Sequence, residues 1–271
     1  MKKIATAILV LELMTGLLFL GLCESRGQIP TAAGAAEAGT ARGTGAERTG
    51  RAERPGNSEQ AERSGSSGQT ERAERPGRAE QDEQTEGLKK IALTFDDGPH
   101  PSYTEQLLDG LKERGVHATF FVTGEHAELH PDIIKRMQEE GHLIGNHTYS
   151  HVQLTKKNRE KFKEELIRTN EVLKEITGEE TQYVRPPYGS WDKTFEKELN
   201  MFPVLWNVDP LDWSSRNVDR ITEKIVSKTE EYDIILMHDY YDTSVTAALK
   251  VIDELTEKGY VFVTVDEILF D

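Results

Sequence analysis

Five short polar clusters, each closing an apolar run, carry the groups in this sequence that could do chemistry. The first is Thr94-Phe95-Asp96-Asp97-Gly98-Pro99, where two adjacent carboxylates end the run IALTF and Gly-Pro turns the chain away. Such a pair suits metal binding or proton transfer, and equally suits an Asp-rich turn that caps the next helix. The second is His147-Thr148-Tyr149-Ser150-His151, after HLIGN. A lone pair of imidazoles four residues apart is often incidental, and His142 lies close by. Joined by one carboxylate, however, two imidazoles make a set of three ligands that leaves positions open for water and substrate, as a hydrolytic metal centre requires.

The third cluster is Arg185-Pro186-Pro187-Tyr188-Gly189. Paired prolines restrict the backbone, so the loop is stiff enough to aim a backbone N–H at a developing oxyanion. The alternative is a rigid structural loop with Arg185 in a surface ion pair. The fourth is Asp209-Pro210-Leu211-Asp212-Trp213, after VLWNV, and the fifth is Leu236-Met237-His238-Asp239, after YDII. A histidine at a strand end is more often a satisfied core residue than a catalyst. With a carboxylate elsewhere on the rim to orient and charge it, it becomes a candidate general acid.

These clusters need elements to position them. Periodicity predicts strands over residues 90–95, 118–122, 143–145, 183–185, 204–207, 234–238 and 260–265. It predicts helices over 102–114, 132–140, 159–177, 193–199, 220–228 and 245–258. Ser102-Tyr103-Thr104-Glu105 fits a capping box, and Gly115, Gly141, Gly178 and Gly259 each follow a helical run where a left-handed residue is wanted. Strand–helix alternation implies parallel strands with helices outside, and both an open doubly wound sheet and a (β/α) barrel fit it. Polar groups at the C-terminal ends of several different strands favour the barrel.

The rest of the chain differs in kind. Residues 4–22 are an apolar run, broken by Glu12, after Met1-Lys2-Lys3. That pattern predicts a signal peptide or membrane anchor over residues 1–23, an extracytoplasmic location, secreted or held at the bacterial cell surface, and membrane contact through this segment alone. Cys23 is the only cysteine, which excludes an internal disulfide. Leu22 before it disfavours lipid attachment there. Residues 24–87 are low in complexity and repeat AERPG-like units at 46–50, 52–56, 61–65 and 73–77. With nothing to bury, they are expected to be a disordered linker. Residues 88–271 suit one domain with a substantial core. Of the net charge of −15, they carry −13. Such a domain would repel nucleic acid, so a neutral or cationic glycan is the easier partner.

Taken in order and with their flanks, ATFFVTGEHA and GHLIGNHTYSH among them, the five clusters resemble the polysaccharide deacetylase (NodB-homology) family, carbohydrate esterase family four, over about residues 88–271. The resemblance implies a distorted (β/α) barrel of that family's type. It further implies Asp96 as general base, and Asp97, His147 and His151 as ligands of one divalent ion, usually zinc, with cobalt or others able to substitute. Arg185 would hold the base, the Tyr188 N–H would face the oxyanion, Asp212 would tune the general acid His238, and Pro187, Trp213 and Leu236 would contact substrate. The implied reaction removes N-acetyl groups from N-acetylglucosamine in an extracellular polymer, peptidoglycan foremost. Chitooligosaccharide, poly-N-acetylglucosamine and acetylxylan are the alternatives, and a non-catalytic glycan-binding module is a further one.

Overall fold

The computed structural model describes residues 87–270. The expected anchor, 1–23, and the expected linker, except its last residue, lie outside the described residues. Among the described residues no helix is long and apolar enough to cross a membrane.

Seven parallel strands form one curled sheet: β1 (Lys89–Asp96), β2 (Thr119–Val122), β3 (Leu143–Asn146), β4 (Tyr183–Val184), β5 (Phe202–Pro203), β6 (Ile234–His238) and β7 (Tyr260–Phe262). Their order is β5-β4-β3-β2-β1-β6, and β7 pairs with the first half of β1. The longer crossover helices are α1 (Tyr103–Arg114), α3 (Pro131–Glu139), α4 (Arg159–Thr177), α6 (Val218–Val226) and α7 (Asp242–Glu257), with short α2 (Gly124–Leu129), α5 (Thr194–Leu199) and α8 (Val265–Leu269). α4 shows why such segments are helical. Phe162, Leu166, Thr169, Val172 and Leu173 recur at three- and four-residue spacing and are buried, and Gly178 ends the helix at φ 79°.

Alternation along the strands sorts the side chains into two cores. Leu93 and Phe95, Phe120 and Val122, and Ile235 and Met237 pack with the helices. Ala92, Phe121, Leu143, Val204 and Ile234 form the cluster on the other face, inside the curl. Gly145 is required there, because a Cβ on it would lie 2.4 Å from the Phe121 ring.

The sheet leaves β5 at one end and β6 at the other, and the chain after β5 spans between them. Val204 N–H donates to the Val184 carbonyl, while Leu236 N–H donates to the carbonyl of Val208. This path explains why the strand predicted over 204–207 is absent: the segment leaves one edge and meets the other only in a bridge at Val208–Ile235. The strand predicted over 260–265 stops at Phe262, since Thr264 caps α8 in a capping box with Glu267. The capping box expected at Ser102 does not form. His100 Nδ1 accepts the Ser102 and Tyr103 N–H groups instead, and the Thr104 hydroxyl is committed elsewhere.

Phe121 is fully buried inside the curl. Phe121→Ala is expected to cost about 3–5 kcal/mol, read as a lowered urea midpoint of the full chain; an unchanged midpoint would show that the inner cluster is not a supporting core.

Candidate active site

β1 and β6 end side by side, Asp96 being the register partner of His238 and Thr94 that of Leu236. Because strand side chains alternate, Thr94, Asp96, Leu236 and His238 share the inner face. Arg185, directly after β4, reaches across to them. It was open to reading as a surface residue, but no part of it is exposed. Its Nη1 donates to Asp96 Oδ1 at 2.8 Å and to Thr94 Oγ1 at 2.6 Å, and its Nε donates to the Val204 carbonyl at 3.1 Å. The guanidinium lies 4.2 Å from the Phe121 ring centroid. The Asp96 carboxylate is thus buried and held by one oxygen, leaving Oδ2 toward His147 Nε2 at 3.8 Å.

The next residue turns off the strand, and its carboxylate comes to the same imidazole. Asp97 has φ 75°, and its Oδ1 lies 3.4 Å from both His147 Nε2 and His151 Nε2. One donor atom from each of these three residues lies within 4.8 Å of the others. At 3.4 Å the contacts are too long for good hydrogen bonds, and Asp97 Oδ1 is buried without a hydrogen-bond partner. His147 Nδ1–H donates to the Arg185 carbonyl at 2.6 Å, which fixes the ring and leaves the Nε2 lone pair toward Asp97. An orphaned carboxylate oxygen facing two imidazole nitrogens fits a divalent cation of the zinc type.

The electrostatics agree. Burial pushes the Asp97 carboxyl up, but the His147 imidazole and the charges of His147, His238 and His151 outweigh it and hold the pKa at about 2. Burial opposes charge on His147, yet Asp96 and Asp97 raise its pKa above the ordinary value. The field that favours a proton there favours a cation among the three donors. His151 is lowered, chiefly by burial.

The other side of the rim holds an acid. Asp212 is buried in a short turn (Asp212–Ser214) and grips His238 twice: Oδ2 accepts its backbone N–H at 2.9 Å, and Oδ1 accepts its Nδ1–H at 2.8 Å. Burial lowers the His238 pKa, but the Asp212 hydrogen bond and charge, with Asp96 and Asp97, raise it to about 9. Trp213 and Tyr188 are exposed, whereas Leu236 and Pro187 are buried. The Tyr188 ring meets His151 edge-on at 5.2 Å. Tyr188 has φ 58°, and the Gly189 and Ser190 N–H groups close its turn on the carbonyls of Pro186 and Pro187.

Several supporting residues escaped the sequence reading. His126 Nδ1–H donates to the Asp97 carbonyl at 2.8 Å. Glu165 of α4 accepts the Ser150 backbone N–H at 2.7 Å and its hydroxyl at 2.8 Å, holding the loop between the two histidines. A glutamate among the buried positions Phe162, Leu166 and Thr169 was the available signal. His142, by contrast, accepts the Ala118 N–H and takes no part in the donor set.

The chain is similar to several known proteins. The polysaccharide deacetylase family profile matches residues 83–204. Peptidoglycan-N-acetylmuramic acid deacetylase PdaC of Bacillus subtilis is 41% identical over 180 residues, 66% of this chain and 38% of that one. A solved structure of PdaC superposes with TM-score 0.65 at 40% identity, covering 68% of this chain and 91% of the solved one. A peptidoglycan-N-acetylglucosamine deacetylase of Bacillus cereus is 42% identical over 182 residues, 65% of this chain and 66% of that one. A chitooligosaccharide deacetylase of Rhizobium leguminosarum is 36% identical, covering 66% of this chain and 91% of its own. The chain belongs to the polysaccharide deacetylase family, whose members named here are hydrolases. It spans 38% of the length of PdaC, less than half of that relative.

Arg185→Met strands a buried carboxylate, so it is expected to cost about 3–5 kcal/mol in stability. Arg185→Lys restores only part of this, because an ammonium lacks the planar fork that reaches Asp96, Thr94 and Val204 together. Chemical unfolding of both variants checks the order.

Proposed function

We propose that this protein is a metal-dependent hydrolase that removes N-acetyl groups from N-acetylglucosamine residues of an extracellular polysaccharide, with peptidoglycan as its substrate. The observation that carries the reading is the convergence of Asp97, His147 and His151 beside the free oxygen of Asp96 and the imidazole of His238. The names of the Bacillus relatives support peptidoglycan over the other polymers. The apolar segment at residues 4–22 and the low-complexity stretch after it support a location outside the cytoplasm, on or released from the cell surface.

Asp97, His147 and His151 would hold a divalent ion, zinc first in order, which would supply Lewis-acid polarisation and a lowered pKa for bound water. Asp96, held by Arg185 with Oδ2 free, takes the proton of that water. The Tyr188 N–H donates to the oxygen that gains charge as the tetrahedral centre forms. His238, kept charged by Asp212, gives its Nε2 proton to the departing nitrogen, so that acetate and a free amine result. Leu236 lines the recess for the acetyl methyl, while Pro187 and the exposed indole of Trp213 border the sugar.

The direct test is acetate release by the full chain from N-acetylglucosamine oligomers and from intact peptidoglycan, with and without a chelator. Release that is chelator-sensitive and restored by zinc is expected, with peptidoglycan as a substrate; no release from either material sinks the reading. Asp96→Asn should keep zinc but lose about 10²–10⁴-fold in kcat, whereas Asp97→Ala should lose zinc itself. As pH rises through about 9, His238 loses its proton and kcat should fall. Asp212→Asn removes the carboxylate that raises His238, so this alkaline limb should move to lower pH.

A further inference from the structure

We infer that Asp239 is a positioning residue whose buried carboxyl group, wedged against Gly98, sets the spacing between the turn bearing Asp97 and the strand end bearing His238. The inference rests on the catalytic reading above and extends it to a residue that touches neither substrate nor ion.

The paired strands stop at Asp96 and His238. Beyond them the chains diverge: Asp97 adopts φ 75°, and Gly98 follows it while Asp239 follows His238. No hydrogen-bond ladder continues between these two stretches. What separates them is the Asp239 side chain. A Cβ on Gly98 would lie 2.3 Å from Asp239 Oδ2, 2.4 Å from Oδ1 and 2.7 Å from Cγ, so the carboxyl rests directly on the glycine backbone. The far side of the turn is fixed by the start of α2, since Thr123 N–H donates to the Gly98 carbonyl at 3.1 Å and His126 Nδ1–H donates to that of Asp97. The Asp239 carboxyl is itself fixed. Oδ2 accepts the Thr104 hydroxyl at 2.5 Å, and that hydroxyl accepts the His100 N–H at 2.7 Å. The turn is therefore clamped between the start of α2 and a wedge anchored on α1.

Asp239 is an expensive choice for a filler. It is fully buried, Oδ1 has no hydrogen-bond partner, and burial pushes the pKa up to about 7. An apolar side chain of equal volume avoids that cost but cannot accept from Thr104. The pairing of a glycine with a hydroxyl-anchored carboxyl supplies a spacer of defined length. Its length matters because the proton on His238 must meet a nitrogen held at the Asp97 side of the rim.

The test uses the full chain, N-acetylglucosamine oligomers and zinc titration, with wild type as the control for the catalytic reading itself. Asp239→Ala should lower kcat by about 10–100-fold with KM nearly unchanged. The near-isosteric Asp239→Asn should recover most of that loss. Gly98→Ala, whose methyl collides with the carboxyl, should also lower kcat, and Gly98→Ala/Asp239→Ala should be more active than Gly98→Ala alone, because the colliding atoms are gone. Wild-type kcat in Asp239→Ala overturns the inference, as does Asp239→Asn no better than Asp239→Ala, or a double variant no better than Gly98→Ala. A wild-type protein that releases no acetate defeats the catalytic reading instead. The wedge is then judged by thermal midpoints: compensation between the two substitutions supports it, and simple additivity overturns it.

Discussion

An arginine with no exposed surface has to find a partner for nearly every donor, and in this fold that requirement organises the site. Arg185 joins Asp96 and Thr94 of β1 to the carbonyls of Val204 and Leu205 in the segment that spans the open end of the sheet. Its own carbonyl accepts from His147. Base, ligand orientation and closure of the curl are therefore one network. Removing an ion from such a network costs more than the pair is worth, because the partner stays buried and charged. The prolines that follow, Pro186 and Pro187, restrict the chain just where this side chain must be aimed.

Backbone strain is concentrated in the loops around the site, though Asn200 and Tyr232 also have positive φ. Asp97, Thr148, His151, Tyr188 and Leu211 all have positive φ, between 54° and 75°. For a β-branched residue such as Thr148 this conformation is a genuine outlier. Each of the five sits in one of the polar clusters, and the regular strands and helices around them offset the cost. Thr148 shows how: its N–H donates to Asn146 Oδ1, while Asn146 Nδ2 is anchored on Leu166 and Asn170 of α4. A long helix thus steadies the loop between the two imidazoles, with Glu165 holding Ser150 from the same face.

The charges of the site divide by role along the rim. Asp97 is held at about 2 and His238 at about 9, so both are charged across a wide range around neutral pH. Each owes its shift to named neighbours that outweigh burial. Asp212 gives both oxygens to His238 and Asp96 gives one to Arg185, which leaves Asp97 Oδ1 without a hydrogen-bond partner and Asp96 Oδ2 facing His147. Adjacent acids in the chain converge here, because Asp97 turns off the strand at φ 75°, so that Asp96 Oδ2 and Asp97 Oδ1 both lie toward His147 Nε2.

Much of this was legible in the chain itself. Strand–helix alternation, the long helix at Arg159–Thr177 and the strand Ile234–His238 follow from the period of the apolar residues, a local property that tertiary contacts merely ratify. The five polar clusters were likewise visible as residue types closing apolar runs, although the run before the fourth forms no strand. Other features were decided only by folding. Whether Arg185 lies on the surface or at the centre depends on the path of residues 202–208, which belongs to no regular period. Val204, read as a strand residue, is a hydrogen-bond partner for that arginine instead. His126 and Asp239 carry no local mark of their part, because they act on residues 29 and 141 positions away, and Glu165 shows only as a glutamate on the apolar stripe of its helix. Periodicity reports which face a side chain takes; only three-dimensional closure decides what waits on the other side.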